Sequence, residues 1–162
     1  MNPDKPHDWY LKAERDFGLA RHASEQGLEY PDLICYHCQQ AAEKFLKALV
    51  IHRGIQLRKT HDLEVLLDLL APAESSIGIE FYEHARKIND YGVMIRYPDP
   101  SGDPTDADVA EALASAAFFR KFAAGVLDNW VGIPIVRSCV ITSPEMKLTL
   151  LPLFLGLSMQ LT

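Results

Sequence analysis

The sequence predicts an all-α protein: one antiparallel bundle of four to five helices over residues 1–130, followed by an apolar C-terminal extension over 131–162. Three observations lead there. Apolar residues recur at spacings of three and four in successive stretches, the period of a helix that buries one face. Prolines punctuate the chain between those stretches, and the connections are short, as between antiparallel neighbours. No period-two alternation, the mark of a half-buried strand, occurs before residue 131.

Trp9, Ala13, Phe17, Ala20 and Ala23 mark the inner face of a first helix. Pro31 opens the second, at a position where its missing N–H costs nothing. Ile34, Cys38, Ala41, Phe45, Ala48 and Leu49 form the apolar stripe of that helix, and Gly54 is its stop. The third is expected to start after Thr60, whose hydroxyl can cap it, and to run through Leu63, Leu66, Leu67 and Leu70 to Pro72. A fourth carries Ile77, Phe81, Ala85 and Ile88. Residues 92–104 hold Pro98, Pro100 and Pro104 and are expected to be a loop. Thr105, with Asp108 three residues on, makes a capping box for a fifth helix through Val109, Leu113, Ala116, Phe119, Ala123 and Leu127.

Composition narrows the function classes. A chain of 162 residues suits one domain with a hydrophobic core of its own. The net charge of −6 argues against a free-standing, non-specific nucleic-acid binder, which needs a positive footprint. The opening MNPDKPHDWY lacks the basic start and apolar run of a secretory signal. Three cysteines cannot build a disulfide framework. The expectation is a cytoplasmic, thiol-reduced protein. The apolar run 146–162 is shorter than the roughly 20 residues of a membrane span and is interrupted by Pro152 and Gly156. It is expected to pack on the domain or on a partner, not in a membrane.

Cys35 and Cys38 stand in a C-x-x-C spacing with His37 between them. A structural zinc site takes four Cys or His ligands, and Cys139 is the only further cysteine. A redox pair belongs at a helix start that follows a strand, whereas Cys35 lies a turn inside a helix. Both thiols are therefore expected to pack in the core as small hydrophobes. No metal and no cofactor is expected.

Four motifs in order carry a family resemblance. Gln39-Gln40-Ala41-Ala42-Glu43-Lys44-Phe45-Leu46-Lys47-Ala48-Leu49 resembles the second helix of the HEPN family (higher eukaryotes and prokaryotes nucleotide-binding domain). Trp9-Tyr10-Leu11-Lys12-Ala13 is similar to the opening W-x-x-x-A of the family. Thr60-His61-Asp62-Leu63 resembles its THDL start to the third helix, and Arg96-Tyr97-Pro98 its RYP before the last helix. The resemblance covers residues 8–128. It implies a helical bundle, a homodimer, binding of a nucleotide or RNA, and a minimal nucleotidyltransferase partner in a toxin–antitoxin-like module. It also implies, for toxic members, a metal-independent ribonuclease with an Arg and a His separated by four to six residues. Here Ser101, Gly102 and Asp103 occupy that spacing after Arg96, so the ribonuclease pair is not intact. Arg15 and His22 satisfy the spacing, but on the first helix. An active ribonuclease and a non-catalytic interaction subunit stand as the alternatives to a nucleotide or RNA binder.

The residues favour an anion site on the second and third helices. Between Glu43 and His61 the chain carries Lys44, Lys47, Arg53, Arg58 and Lys59 against a single acid. Lys44 and Lys47 are three apart and share a helix face; Lys47 and Arg96, as exposed charges, are expected to contribute little to folding. Free N–H groups at the third-helix start would add to a phosphate site. His61 either contacts a phosphate or is held by Asp62 or backbone. Arg96 is expected to hold phosphate, and Tyr97 either stacks on a base or packs its loop. Lys44, Lys47, Lys59, His61, Arg96 and Tyr97 form the expected nucleotide or RNA site. His37 is expected at the surface or a dimer interface, and His22, His52 and His84 at the surface.

Overall fold

The computed structural model describes residues 5–94 and 102–128. Among these the chain forms α1 (Pro6–Glu25), α2 (Pro31–His52), α3 (Leu63–Leu70), α4 (Ile79–Ile88), the single turn α5 (Tyr91–Met94) and α6 (Asp106–Asp128). There is no strand among the described residues. The protein is an all-α, antiparallel helical bundle. Residues 131–162, with the apolar extension, lie outside the described residues, as do Arg96 and Tyr97.

α2 is the axis of the bundle and touches each of the other five helices. Its apolar stripe therefore widens until side chains are buried nearly all round from Ala41 to Val50, as a central helix requires. α1 runs antiparallel to it: Tyr10 meets Phe45 edge-on, with ring centroids 5.2 Å apart, while Asp16, further along α1, meets the earlier His37. α3 and α4 form an antiparallel hairpin, with Arg86 paired to Glu64 and Tyr82 donating to Asp68. α4 lies antiparallel on α6 through Lys87–Glu111, His84–Ser115 and a cluster of Phe81, Phe118 and Phe122.

Local chemistry sets the boundaries. Pro31 is the first residue of α2. Gly54 follows that helix with φ of 67°, the left-handed conformation in which glycine has no Cβ clash, and its N–H bonds back to Ile51 O. The box ahead of α6 closes both ways. Thr105 N–H donates to Asp108 Oδ2 at 2.8 Å and Asp108 N–H to Thr105 Oγ1 at 3.3 Å.

Two expectations are corrected. The cap of α3 is Asp62, not Thr60: its Oδ1 accepts from the N–H groups of Glu64 and Val65, while Thr60 Oγ1 accepts from Asp62 N–H. A carboxylate two residues nearer the helix reaches the donors that the hydroxyl does not. Gly92, expected in a loop, lies in α5. A Cβ at Gly92 would come within 3.0 Å of the Gln39 side chain, so glycine is what lets this turn rest against α2.

Cys35 and Cys38 are fully buried and free, as the packing reading of C-x-x-C expects. Burial, with Asp108 nearby, pushes the Cys35 thiol up to about 11. Burial raises Cys38 to about 12, with Cys35 adding to the effect. Neither is a ready thiolate. Among the described residues no group of three His, Cys, Asp or Glu side chains could hold a metal ion, and no helix is long and apolar enough to cross a membrane.

Candidate functional site

The polar residues of the QQAAEK stretch emerge from α2 on the side of α1 and of the segment before α3. At their centre is Glu43, which is buried. Its Oε1 accepts from Lys47 Nζ at 2.7 Å, one turn on. The ring Nδ1 of His61 lies 3.2 Å from Oε2. Gln39, also buried, donates to the backbone carbonyl of His61 at 3.1 Å. Gln40 Nε2 donates to Gln39 Oε1 at 2.8 Å and lies 3.4 Å from Glu43 Oε2. Buried carboxylates are paired and hydrogen-bonded in folded proteins, and Glu43 is both.

A second carboxylate lies further toward the start of α2. Lys44 Nζ donates to Asp16 Oδ2 at 2.6 Å and to Gln40 Oε1 at 3.1 Å. Asp16 Oδ1 is 3.1 Å from His37 Nδ1. Burial would raise the Asp16 carboxyl, but hydrogen bonds and charge from His37 and Lys44 outweigh it and hold the group below its usual range.

The expected site residues are thus dispersed in role. Lys47 is buried, locked on Glu43 with its ammonium 5.4 Å from the Trp9 ring centroid. Lys44 is half-buried and tied to Asp16. The expectation that Lys47 is an exposed charge fails, because α1 covers the face of α2 on which Lys44 and Lys47 stand. Lys59 is exposed, and the His61 side chain is 76% exposed. Arg58 is exposed beside them. The start of α3 is not a free-donor site either. Asp62 N–H is taken by Thr60 and Leu63 N–H by Asn89 Oδ1 at 2.9 Å, and Asp62 takes the next two.

Sequence reasoning missed Asp16, Gln39 and Glu43. Glu43 was legible as the i−4 partner of Lys47; Asp16 becomes visible only when α1 is laid on α2. His37 is partnered and half-buried, in line with a satisfied residue. His84 is half-buried, hydrogen-bonded to Ser115 and stacked on Phe118 at 4.2 Å, where a surface residue was expected. Arg15 and His22 are both exposed on α1.

The arrangement defines a class: a helical bundle whose central helix carries an internally neutralised polar network. Comparison with known proteins gives that class its family. The family model of the HEPN domain matches residues 6–126, and the chain belongs to the HEPN family. Two solved structures are similar. One is ST0689, an archaeal HEPN homologue, with 28% identity, a TM-score of 0.62, and coverage of 78% of this chain and 99% of that one. The other is TT1696 from Thermus thermophilus, with 30% identity, a TM-score of 0.63, and coverage of 74% of this chain and 96% of that one. A search of curated proteins gives no match.

Proposed function

We propose that this HEPN protein binds a nucleotide or RNA and works beside a minimal nucleotidyltransferase in a toxin–antitoxin-like module, as a homodimer. The observation that carries the reading is the contrast between compensated and uncompensated charge. Lys44 and Lys47 are consumed by internal carboxylates, while Arg58 and Lys59 are exposed with no acidic partner among the described residues. His61 stands next to them, its ring steered by Glu43 and its backbone held by Gln39. Two free cations beside a positioned imidazole suit a phosphate group.

Arg96 and Tyr97 belong to the same proposal by connectivity. They follow α5 by two and three residues, and α5 rests on Gln39, which also holds His61. In this reading Lys44 and Lys47 act by positioning, and ligand contact falls to Lys59, His61 and Arg96. The homodimer enters the proposal through the HEPN membership of the chain.

The test is calorimetric titration of a mononucleotide and a short RNA into the purified chain and into Lys59→Ala and Arg58→Ala. Each variant should bind about tenfold more weakly, as for a lost hydrogen bond to a charged group, with unchanged melting temperature. Binding unaffected in both would remove the phosphate site. A tight protein partner without nucleotide binding would then favour an interaction subunit, and cleavage of the RNA in the presence of EDTA an active ribonuclease.

A further inference from the structure

Gln39 is fully buried, so its side-chain amide must find its hydrogen-bond partners inside the protein. Those partners fix which way round the amide lies. Lys44 Nζ can only donate and lies 3.1 Å from Gln40 Oε1, so the Gln40 oxygen faces the lysine. The Gln40 amide nitrogen then faces Gln39 and donates to its Oε1 at 2.8 Å. That leaves Gln39 Nε2 turned toward the next segment, where it donates to the backbone carbonyl of His61 at 3.1 Å. Glu43 Oε2 lies 3.4 Å from Gln40 Nε2 and 3.5 Å from Gln39 Nε2, an acceptor that favours the same sense. Asp16 holds Lys44 at 2.6 Å. The donors therefore run in one direction, from Lys44 to His61.

Two separate elements meet at the Gln39 amide. One is the segment 53–62 between α2 and α3, which carries Arg58, Lys59 and His61. Thr60 N–H donates to Arg58 O at 2.9 Å, a tight turn that passes the hold on His61 to the two cations. The other element is α5. Its first residue, Tyr91, is hydrogen-bonded to the buried Cys35, and its second is Gly92. A Cβ at Gly92 would lie 3.0 Å from Cδ and Oε1 of Gln39 and 3.1 Å from Nε2. That is closer than the roughly 3.5–4.0 Å of a carbon–carbon contact. The bare backbone of Gly92 is thus the wall against which the amide is set.

We infer that Gln39 is a positioning residue for the phosphate site. Its amide, set by Lys44 and Gln40 on one side and by Gly92 on the other, holds the Arg58–His61 turn in place. This rests on the phosphate-binding reading above and adds that α5 and the basic turn are coupled through one side chain. A push on the amide from α5 reaches His61, although the two stand on different elements.

The experiment compares the full chain with Gly92→Ala, Gln40→Glu and Gln39→Met. Gly18→Ala is the control, because a Cβ there meets nothing within 4 Å. Gly92→Ala crowds the amide, Gln40→Glu still accepts from Lys44 but cannot donate to Gln39, and Gln39→Met removes the amide. Two quantities are read: the amide and ring NMR signals of His61, and affinity for inorganic phosphate and AMP by calorimetry. All three variants should shift the His61 signals and weaken both ligands about threefold to tenfold, the scale of one hydrogen bond. Gly18→Ala should do neither. Gly92→Ala and Gln40→Glu leave Gln39 in place, so they decide the matter even if Gln39→Met fails to fold. His61 signals unchanged in those two variants, with binding by the unmodified chain intact, overturn this inference and leave the phosphate site standing. Shifted signals with unchanged affinity overturn the positioning role in the same way. No binding of phosphate or AMP by the unmodified chain removes the phosphate reading itself, and this inference with it.

Discussion

Lys47 Nζ lies 2.7 Å from Glu43 Oε1, one turn back on α2, and both side chains are buried. The pair turns a lysine expected to be a surface cation into a structural element. Removing one member strands the charge of the other, which costs about 3–5 kcal/mol in buried pairs.

Lys47→Ala should therefore lower stability by about 3 kcal/mol in urea denaturation, the figure for an orphaned buried charge. Removing both charges with Lys47→Met and Glu43→Gln should cost much less, because neither group is left unpaired. A Lys47→Ala protein as stable as wild type would mean that water reaches Glu43.

The cap correction gives a second prediction. Asp62→Ala should cost about 1 kcal/mol, the usual loss for a helix N-cap, and Thr60→Ala a few tenths by comparison. Thermal melts of the two variants decide the matter, and the reverse order would restore Thr60 as the cap.

Alkaline pH should destabilise the protein. Burial raises Cys35 to about 11 and Cys38 to about 12. Burial, with Cys35 nearby, also takes Tyr91 to about 12. All three are acids whose folded values lie above their unfolded ones, so the folded state holds more protons between the two. Stability should be complete below about pH 9, where the unfolded thiols still hold their protons, and fall as pH rises toward 12. Cys35→Ala/Cys38→Ala should flatten that fall. Chemical denaturation across the range measures it.

Acid should act through Asp16. Burial raises this carboxyl, but His37 and Lys44 bring it below its ordinary value. A lowered folded value means stability that is present above the unfolded value and lost as pH falls through the folded one. Asp16→Asn should remove that part of the acid transition and loosen both His37 and Lys44. An acid unfolding curve identical to wild type would show that the pairs contribute nothing.

The helices were legible in the sequence because their signals are local. The Val109–Leu127 stripe and the Thr105–Asp108 box need no knowledge of the fold, and Pro31 and Gly54 mark α2 by backbone chemistry alone. Single-turn α5 was not legible, since four residues carry no helical period and the prolines that follow suggest a loop. The candidate site was legible in its residues but not in their roles. Periodicity places Lys44 and Lys47 on α2; only the packing of α1 decides that Trp9 and Asp16 cover them. The same holds for the start of α3, whose donors look free until the distant Asn89 is brought beside Leu63.

That contact reaches beyond capping. Asn89, just past the end of α4, accepts from the N–H of Leu63 at the start of α3, 26 residues earlier. It ties the mouth of the α3–α4 hairpin, so neither helix can fray at that end without releasing the other. The two should then open as one cooperative unit. In native-state hydrogen exchange the amides of Leu67, Ala85 and Ile88 should share a single opening free energy, and Asn89→Ala should lower it for all three together.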